Sequence, residues 1–435
     1  MRIFILLILF SINAHSLTFK SDGTVIEGSA EGIEDYGRSE IPENANPNYK
    51  TLRYYLNNYL NHWERFYRKW SNDDYKYLTN GSKKPYEFEY SLIENEEIKQ
   101  QMQETALLSY ILYEDEKIII DEITPKDRFG DLFNNKSKLH SQSVGKSITS
   151  YILGHAICEG YINNLNSKLN DWSAVENTVY HNQNLIDLLN MNAGDHTYVT
   201  QQGIINSKRW YNKYPVEDYL KNEFKGSKKK TPKYNYHGFM TNLLGTYVLY
   251  KTGNDFQKLL DFIFQEKAQI EDSVFFTKQP EATPKDKTFW NQFRATRYDY
   301  LRISRAMLED WNKDTCVGQY LKDLYSSAVN KNEIHLIGSR HGYAEKYAGQ
   351  FHTHFKDITR PIMMMHGYGG QSFTLDFEMN RIIAIQAIHD NYDFYKLIYK
   401  YLKTDSFDEN VKCTPSRQLV YKKGTTHPEW IEVCE

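Results

Sequence analysis

No apolar run in this chain approaches the roughly 20 residues that a membrane-spanning helix takes. The run from Ile3 to Phe10 is far shorter, and nothing after it is long and apolar enough, so no stable membrane anchor is expected. Neither sign of charge is in clear excess. Lys and Arg number 53 against 56 Asp and Glu, for a formal net charge of −3. That balance gives a nucleic-acid partner no electrostatic footing. The short basic run Lys228 to Lys230 reads as a solvated loop. Cysteine is scarce, at four residues, and there is no C-x-x-C pair. A cysteine zinc site is therefore not indicated. No internal repeat is visible.

What is present points to a folded, exported chain. Its 435 residues suggest one large domain or two intimately packed lobes. Aromatics make up 15%, including 35 tyrosines, which argues against disorder. Arg2, the apolar run after it, and Ala14-His15-Ser16 have the layout of a cleavable secretory signal peptide over residues 1–16. The prediction is a periplasmic or secreted protein. No cysteine follows the cleavage site, so a bacterial lipid anchor is not expected. Export permits disulfides, and Cys158, Cys316, Cys413 and Cys434 allow three pairings. Cys413 and Cys434 bracket the polar tail, residues 405–435, and could close it into a loop. Unpaired thiols are the alternative.

Residues 17–90 read as an N-terminal extension: an extended arm over 17–45, then helical spacing of Leu52, Tyr55, Leu56, Tyr59, Leu60 and Trp63 within 50–78. A helix is predicted over 93–105, then a hairpin of Ala106–Tyr113 and Lys117–Ile123. Val144, Ile148, Ile152 and Ala156 recur every four residues after Ser143, with Gly160 as the stop. Further helices are predicted over 184–191, 239–250 and 300–311. Strands return over 372–389, and a last helix over 392–402. The expected class is α+β. An antiparallel sheet, from residues 91–139 and 345–404, is flanked by helices and joined to a large all-helical lobe over 140–344.

The chemistry concentrates at Ser143. A serine hydroxyl is a poor nucleophile until a base takes its proton. A lysine can be that base if desolvation lowers its pKa. Ser143 and Lys146 are three apart at a predicted helix start, so they share a face. The helix N-terminus also favours developing negative charge. The same S-x-x-K spacing at Ser227 and Lys230 lies in a lysine-rich polar loop and is set aside. Gly145-Lys146-Ser147 resembles the end of a phosphate-binding loop, but the required earlier glycine is His140. His352-Thr-His354 with Asp357 approaches a zinc pattern. Its aspartate is one position late, and histidines two apart commonly share a strand face without metal. No metal and no cofactor are predicted.

The segment His140-Ser-Gln-Ser143-Val-Gly-Lys146-Ser-Ile-Thr-Ser, with Gly154 and Glu159-Gly160-Tyr-Ile162, resembles the serine β-lactamase-like superfamily. That group includes class C β-lactamases, D-alanyl-D-alanine peptidases, esterases and 6-aminohexanoate-dimer hydrolases. Asn184 to Gly194 resembles its segment ending in Ser-Gly, and Tyr236 to Gly245 its Y-x-N segment. Arg297 to Leu308 is similar to its late helix, and Met365-His-Gly-Tyr-Gly-Gly-Gln371 to its catalytic strand. The resemblance spans about residues 92–404. It implies that Ser143 attacks a carbonyl, Lys146 accepts its proton, and Tyr236 passes a proton to the leaving group. Tyr234 competes with Tyr236 for that role. It further implies an oxyanion hole from the Ser143 and Tyr368 backbone N–H groups. His366, Gly367 and Gly369 would face the substrate.

Two positions depart from the family pattern. Gly238 stands where Y-x-N has asparagine, and Met365 where K-T-G has lysine, the residue associated with recognising a substrate carboxylate. Gly-Tyr-Gly-Gly-Gln is closer to the 6-aminohexanoate-dimer hydrolase and esterase branch. The expectation is therefore a serine hydrolase acting on a small amide or ester, with oligomeric state undetermined. A β-lactamase or D,D-peptidase, and a non-catalytic binding protein on the same scaffold, are the alternatives.

Overall fold

A computed structural model of the chain describes residues 75–126, 133–283, 285–331, 344–388 and 395–403, with the backbone of short strands at 18–19, 25–27, 415–420 and 429–434. The signal-peptide segment 1–16, the helix expected before residue 75 and the Cys413–Cys434 pairing lie outside the described residues.

The elements in chain order are β1 (Lys76–Thr79), β2 (Glu89–Tyr90), α1 (Glu96–Glu104), β3 (Leu107–Glu114), β4 (Lys117–Ile123), β5 (Leu139–His140) and α2 (Val144–Cys158). Then come α3 (Leu185–Leu189), α4 (Val216–Asn222), α5 (Gly238–Thr252), α6 (Phe256–Asp261), β6 (Val274–Thr277), β7 (Trp290–Ala295), α7 (Arg297–Asn312) and α8 (Cys316–Ser326). The chain closes with β8 (Val329–Asn330), β9 (Ala344–Ala348), β10 (Phe351–Phe355), β11 (Ile362–Gly367), β12 (Gln371–Asp376), β13 (Arg381–Ala387) and α9 (Tyr395–Leu402).

Among the described residues the main sheet has nine strands in the order β8-β9-β10-β11-β12-β13-β3-β4-β2. Its pairs are antiparallel except β2 with β4. The early hairpin thus joins the late strands through β13 and β3, as the α+β reading requires. Side chains alternate across this sheet. Met363, Met365, Phe373, Leu375, Ile382 and Ala384 point into the core shared with the helical lobe. Ile362, Met364, Ile383 and Ile385 point the other way, into a second core with Ile98 and Met102 of α1 and Leu397 and Ile398 of α9.

Helices α2 and α5 are buried on almost every side. Such all-round burial marks them as core helices rather than surface ones. Cys158, ending α2, is bonded to Cys316, starting α8, across 158 residues of sequence. Closing so long a loop stabilises by about 5 kcal/mol on the chain-entropy account.

The helical lobe also carries a four-stranded sheet, β1-β6-β7-β5, which the sequence patterning did not anticipate. The reason is local. β6 and β7 are short and buried on both faces, so they lack the alternation that signals a strand. β1, from the stretch read as an extension, is an edge of this sheet and pairs with β6. This sheet matters because β7 and β5 deliver the chain to Ser143.

Candidate active site

The turn into α2 is built by two close approaches. The Ser141 N–H donates to the Phe293 carbonyl at 2.8 Å, and the Phe293 N–H donates back to Ser141 Oγ at 3.0 Å. Gln142 follows in the left-handed region, φ 50°, with its N–H donating to His140 Nδ1 at 3.2 Å. Gly145 then passes the Asn291 backbone so closely that a Cβ would lie 1.8 Å from that carbonyl oxygen. From the other lobe, Gly367 at the end of β11 meets the same turn. A Cβ there would be 2.5 Å from the Ser141 carbonyl oxygen. Glycine is thus dictated at both positions by backbone contact.

Ser143 sits directly before α2, and Lys146 is in its first turn. Lys146 Nζ donates to Ser143 Oγ at 2.9 Å. The lysine is buried, and desolvation alone pulls its pKa down from 10.5 to about 7. The Tyr236 phenol shares a hydrogen bond with the Ser143 hydroxyl, and its ring centroid lies 5.0 Å from Lys146 Nζ. Burial pushes that phenol well above its usual range, so it stays protonated at neutral pH. Tyr234, the competing tyrosine, is buried against Tyr347, with ring centroids 5.2 Å apart. Tyr236 is therefore the tyrosine that reaches Ser143 and Lys146.

The remaining candidates lie on the β11–β12 hairpin. Gly367 pairs with Gln371, and Tyr368, Gly369 and Gly370 form the tip. Gly369 and Gly370 take φ of 81° and 94°, which glycine adopts without strain. The Tyr368 side chain is exposed, and the residue follows Gly367, which touches the Ser141–Gln142 turn. The His366 ring lies against His352 at 5.8 Å and Tyr395 at 6.0 Å, and so approaches Tyr236 through His352, whose ring is 6.3 Å from that of Tyr236. His352 and His354 diverge. The latter has φ 55° and stacks on Tyr325 at 4.4 Å. Among the described residues no three His, Cys, Asp or Glu side chains converge as metal ligands, and no helix is long and apolar enough to cross a membrane.

Solved structures match this fold over most of the chain. A protein from Bacillus anthracis described as a 6-aminohexanoate-dimer hydrolase superposes with TM-score 0.58 at 13% identity, covering 87% of this chain and 97% of that one. The fold is β-lactamase/transpeptidase-like. A protein from Bacteroides dorei described as a β-lactamase aligns at TM-score 0.52 and 11% identity, over 67% of this chain and 89% of its own. A penicillin-binding protein from Bacillus halodurans aligns at 0.51 and 13% identity, over 70% and 99%. No family model and no curated protein sequence matches the chain.

Within this β-lactamase-like fold, the two departures have physical explanations. At Gly238 a Cβ would lie 3.0 Å from the Tyr211 ring, and the Gly238 N–H donates to the Tyr211 phenol oxygen at 3.0 Å. Tyr211 fills the space that an asparagine side chain would need. Met365 is fully buried in the core between sheet and helices. Gly194, ending the segment that resembles Ser-Gly, has φ 68° and lies so close to Lys230 that a Cβ would be 2.2 Å from its carbonyl oxygen.

Sequence reading missed Ser141, Tyr211, His352, Asp195 and His237 as parts of the site. His237 follows Tyr236 directly, and Asp195 follows Gly194, so both sat beside recognised landmarks. Nothing in the sequence shows that these two residues, 42 positions apart, are bonded to each other.

Proposed function

We propose that this chain is an exported serine hydrolase that cleaves a small amide or ester through an acyl-enzyme on Ser143. One observation carries the reading: a buried amine with its pKa at about 7 lies 2.9 Å from a serine hydroxyl that also bonds a protonated phenol. A surface capping serine with a solvated lysine would have neither the burial nor the third group.

In the proposed reaction, neutral Lys146 takes the Ser143 proton as Oγ bonds to the substrate carbonyl carbon. The Ser143 and Tyr368 N–H groups hold the resulting oxyanion, the kind of fixed donor that contributes a factor of roughly 100 to 1,000. Collapse breaks the C–N or C–O bond, and the proton on Lys146 reaches the leaving group through the Tyr236 hydroxyl. Water then attacks the acyl carbon, returns a proton to the serine oxygen and releases the acid. Met365 in place of lysine leaves this strand without a cation for a substrate carboxylate. The likeness in fold to the 6-aminohexanoate-dimer hydrolase, together with the Gly367-to-Gln371 pattern, favours a small amide or ester. Export is supported by the N-terminal sequence and by the Cys158–Cys316 bond, which suits an oxidising compartment.

The test is a panel of p-nitrophenyl esters, short amides and a fluorescent penicillin on wild type beside Ser143→Ala. Ester or amide turnover should vanish in the variant, a loss on the order of a millionfold where nucleophile and base act as a unit. Turnover that survives the substitution would sink the proposal. Stable penicillin labelling without ester turnover would shift it to the peptidase reading.

A further inference from the structure

Asp195 is a buried carboxylate with no role in the reaction just described, and its two oxygens have different partners. Oδ1 accepts from Asn235 Nδ2 at 2.8 Å. Oδ2 accepts from His237 Nε2 at 2.9 Å and from the Tyr180 phenol at 3.0 Å. Asn235 and His237 are the residues on either side of Tyr236. One carboxylate therefore grips both neighbours of the phenol that reaches Ser143. His237 is held at its other nitrogen too, where Nδ1 accepts the Met240 N–H at 3.2 Å and caps α5. With Nδ1 accepting, Nε2 carries a proton and donates it to Asp195, so both ring nitrogens are engaged and the ring's orientation is fixed. His237 and Asp195 are 0% and 1% exposed, and the interaction with His237 helps hold the Asp195 carboxyl below the usual carboxylate range despite burial.

Such a carboxylate is an expensive thing to bury. It needs partners for its lone pairs, and removing any one leaves a penalty. Helix capping alone does not account for it, because an asparagine or serine at position 237 would cap α5 without any carboxylate. The segment before α5 has no helix or strand of its own between residues 230 and 237. Its backbone ties include the Lys230 N–H to Gly194 O, the Asn235 N–H to Met191 O and the His237 N–H to Met191 Sδ at 3.4 Å. The side-chain grip adds one ionised acceptor that ties the side chains on both flanks of Tyr236 together, a stronger restraint than the weak bond to a thioether sulfur.

We infer that Asp195 and His237 are positioning residues that clamp the Tyr236 segment so that its phenol stays on Ser143, an inference that rests on the serine-hydrolase reading. Neither touches the reacting atoms; they act through Tyr236.

Two substitutions separate clamping from folding. His237→Asn keeps a capping oxygen for α5 but is too short to reach Asp195. Asp195→Asn keeps an acceptor for His237 while turning a donor toward Asn235. Both variants should fold. With p-nitrophenyl butyrate as probe, kcat should fall roughly tenfold to a hundredfold, the range that an ångström of misplacement produces, while KM stays within about twofold. The double variant should be no worse than the worse single one. Independently of turnover, 3-fluorotyrosine at position 236 should give one narrow 19F resonance in the wild-type background and broadened or multiple resonances in both variants. Unchanged kcat, or an unchanged 19F signal in the folded variants, overturns the clamp. Absence of Ser143-dependent turnover in wild type would instead refute the hydrolase reading, and the 19F comparison would still decide the clamp.

Discussion

Lys146 decides most of what can be tested at the residue scale. Burial without a compensating charge favours its neutral form, which is the form a general base needs. Hydrolysis should therefore rise with pH along an acid limb centred near 7, measured as kcat/KM in the free enzyme. An acid limb near 4 to 5, the ordinary carboxylate range, would point to a different base. The same shift bears on stability. The unfolded chain keeps this proton up to 10.5, whereas the folded chain releases it at about 7. Between those values the unfolded state binds more protons, so this residue's contribution to stability improves as pH rises and worsens as it falls toward 7. Lys146→Met should abolish turnover and raise the thermal midpoint. Its advantage over wild type should be larger at pH 7 than at pH 9.5. An equal advantage at both pH values would mean that the amine is solvated.

At the scale of elements, the start of α2 is defined by glycine. Gly145 and Gly367 bring β7 and β11 against one turn from two sides, and neither tolerates a Cβ in place. Gly145→Ala should lower the thermal midpoint and reduce kcat by about a hundredfold or more, since the nucleophile must shift to relieve the contact. Gly160 is the control. It lies beyond the end of the same helix at φ 79° with nothing within 4 Å of a Cβ, so Gly160→Ala should cost about 1 kcal/mol of left-handed strain and leave kcat unchanged. Comparable losses in the two variants would contradict the steric argument.

The whole molecule depends on how the two lobes are joined behind the site. Gln350, at the β9–β10 turn, is a polar junction between them. Its Nε2 donates to the Leu189 carbonyl at 2.7 Å, and its Oε1 accepts from Thr241 at 2.7 Å. Its carbonyl accepts from Ser147 Oγ in α2 at 2.6 Å. Next to it, the Gly349 N–H donates to Asn190. Gln350→Ala would leave a buried carbonyl and a buried hydroxyl without these partners. The expected loss is about 2–4 kcal/mol in urea unfolding. KM should rise more than kcat falls, because the junction sets the spacing of the lobes rather than the nucleophile turn. A loss below about 0.5 kcal/mol, the range of ordinary surface substitutions, would show that the junction carries little.

Helices α1, α2, α3, α5, α7 and α9, strands β3, β4, β12 and β13, the α+β class and the pairing of Ser143 with Lys146 were legible in the sequence, because each rests on short-range regularity. A spacing of four marks α2, alternation marks the late strands, and a separation of three puts an amine on the face of a hydroxyl. The small sheet was not legible. β6 and β7 are buried on both faces and leave no periodic trace. The spacing of nine back from Gly245 favours Tyr236 but keeps Tyr234 as runner-up, since both lie in the same irregular segment and only folding decides which phenol meets the serine. Tyr211 in the place of an asparagine, and Asp195 gripping both sides of Tyr236, belong to the tertiary structure alone. Both join residues tens of positions apart, and such contacts depend on the packing of β7, α2 and α5 rather than on any local pattern.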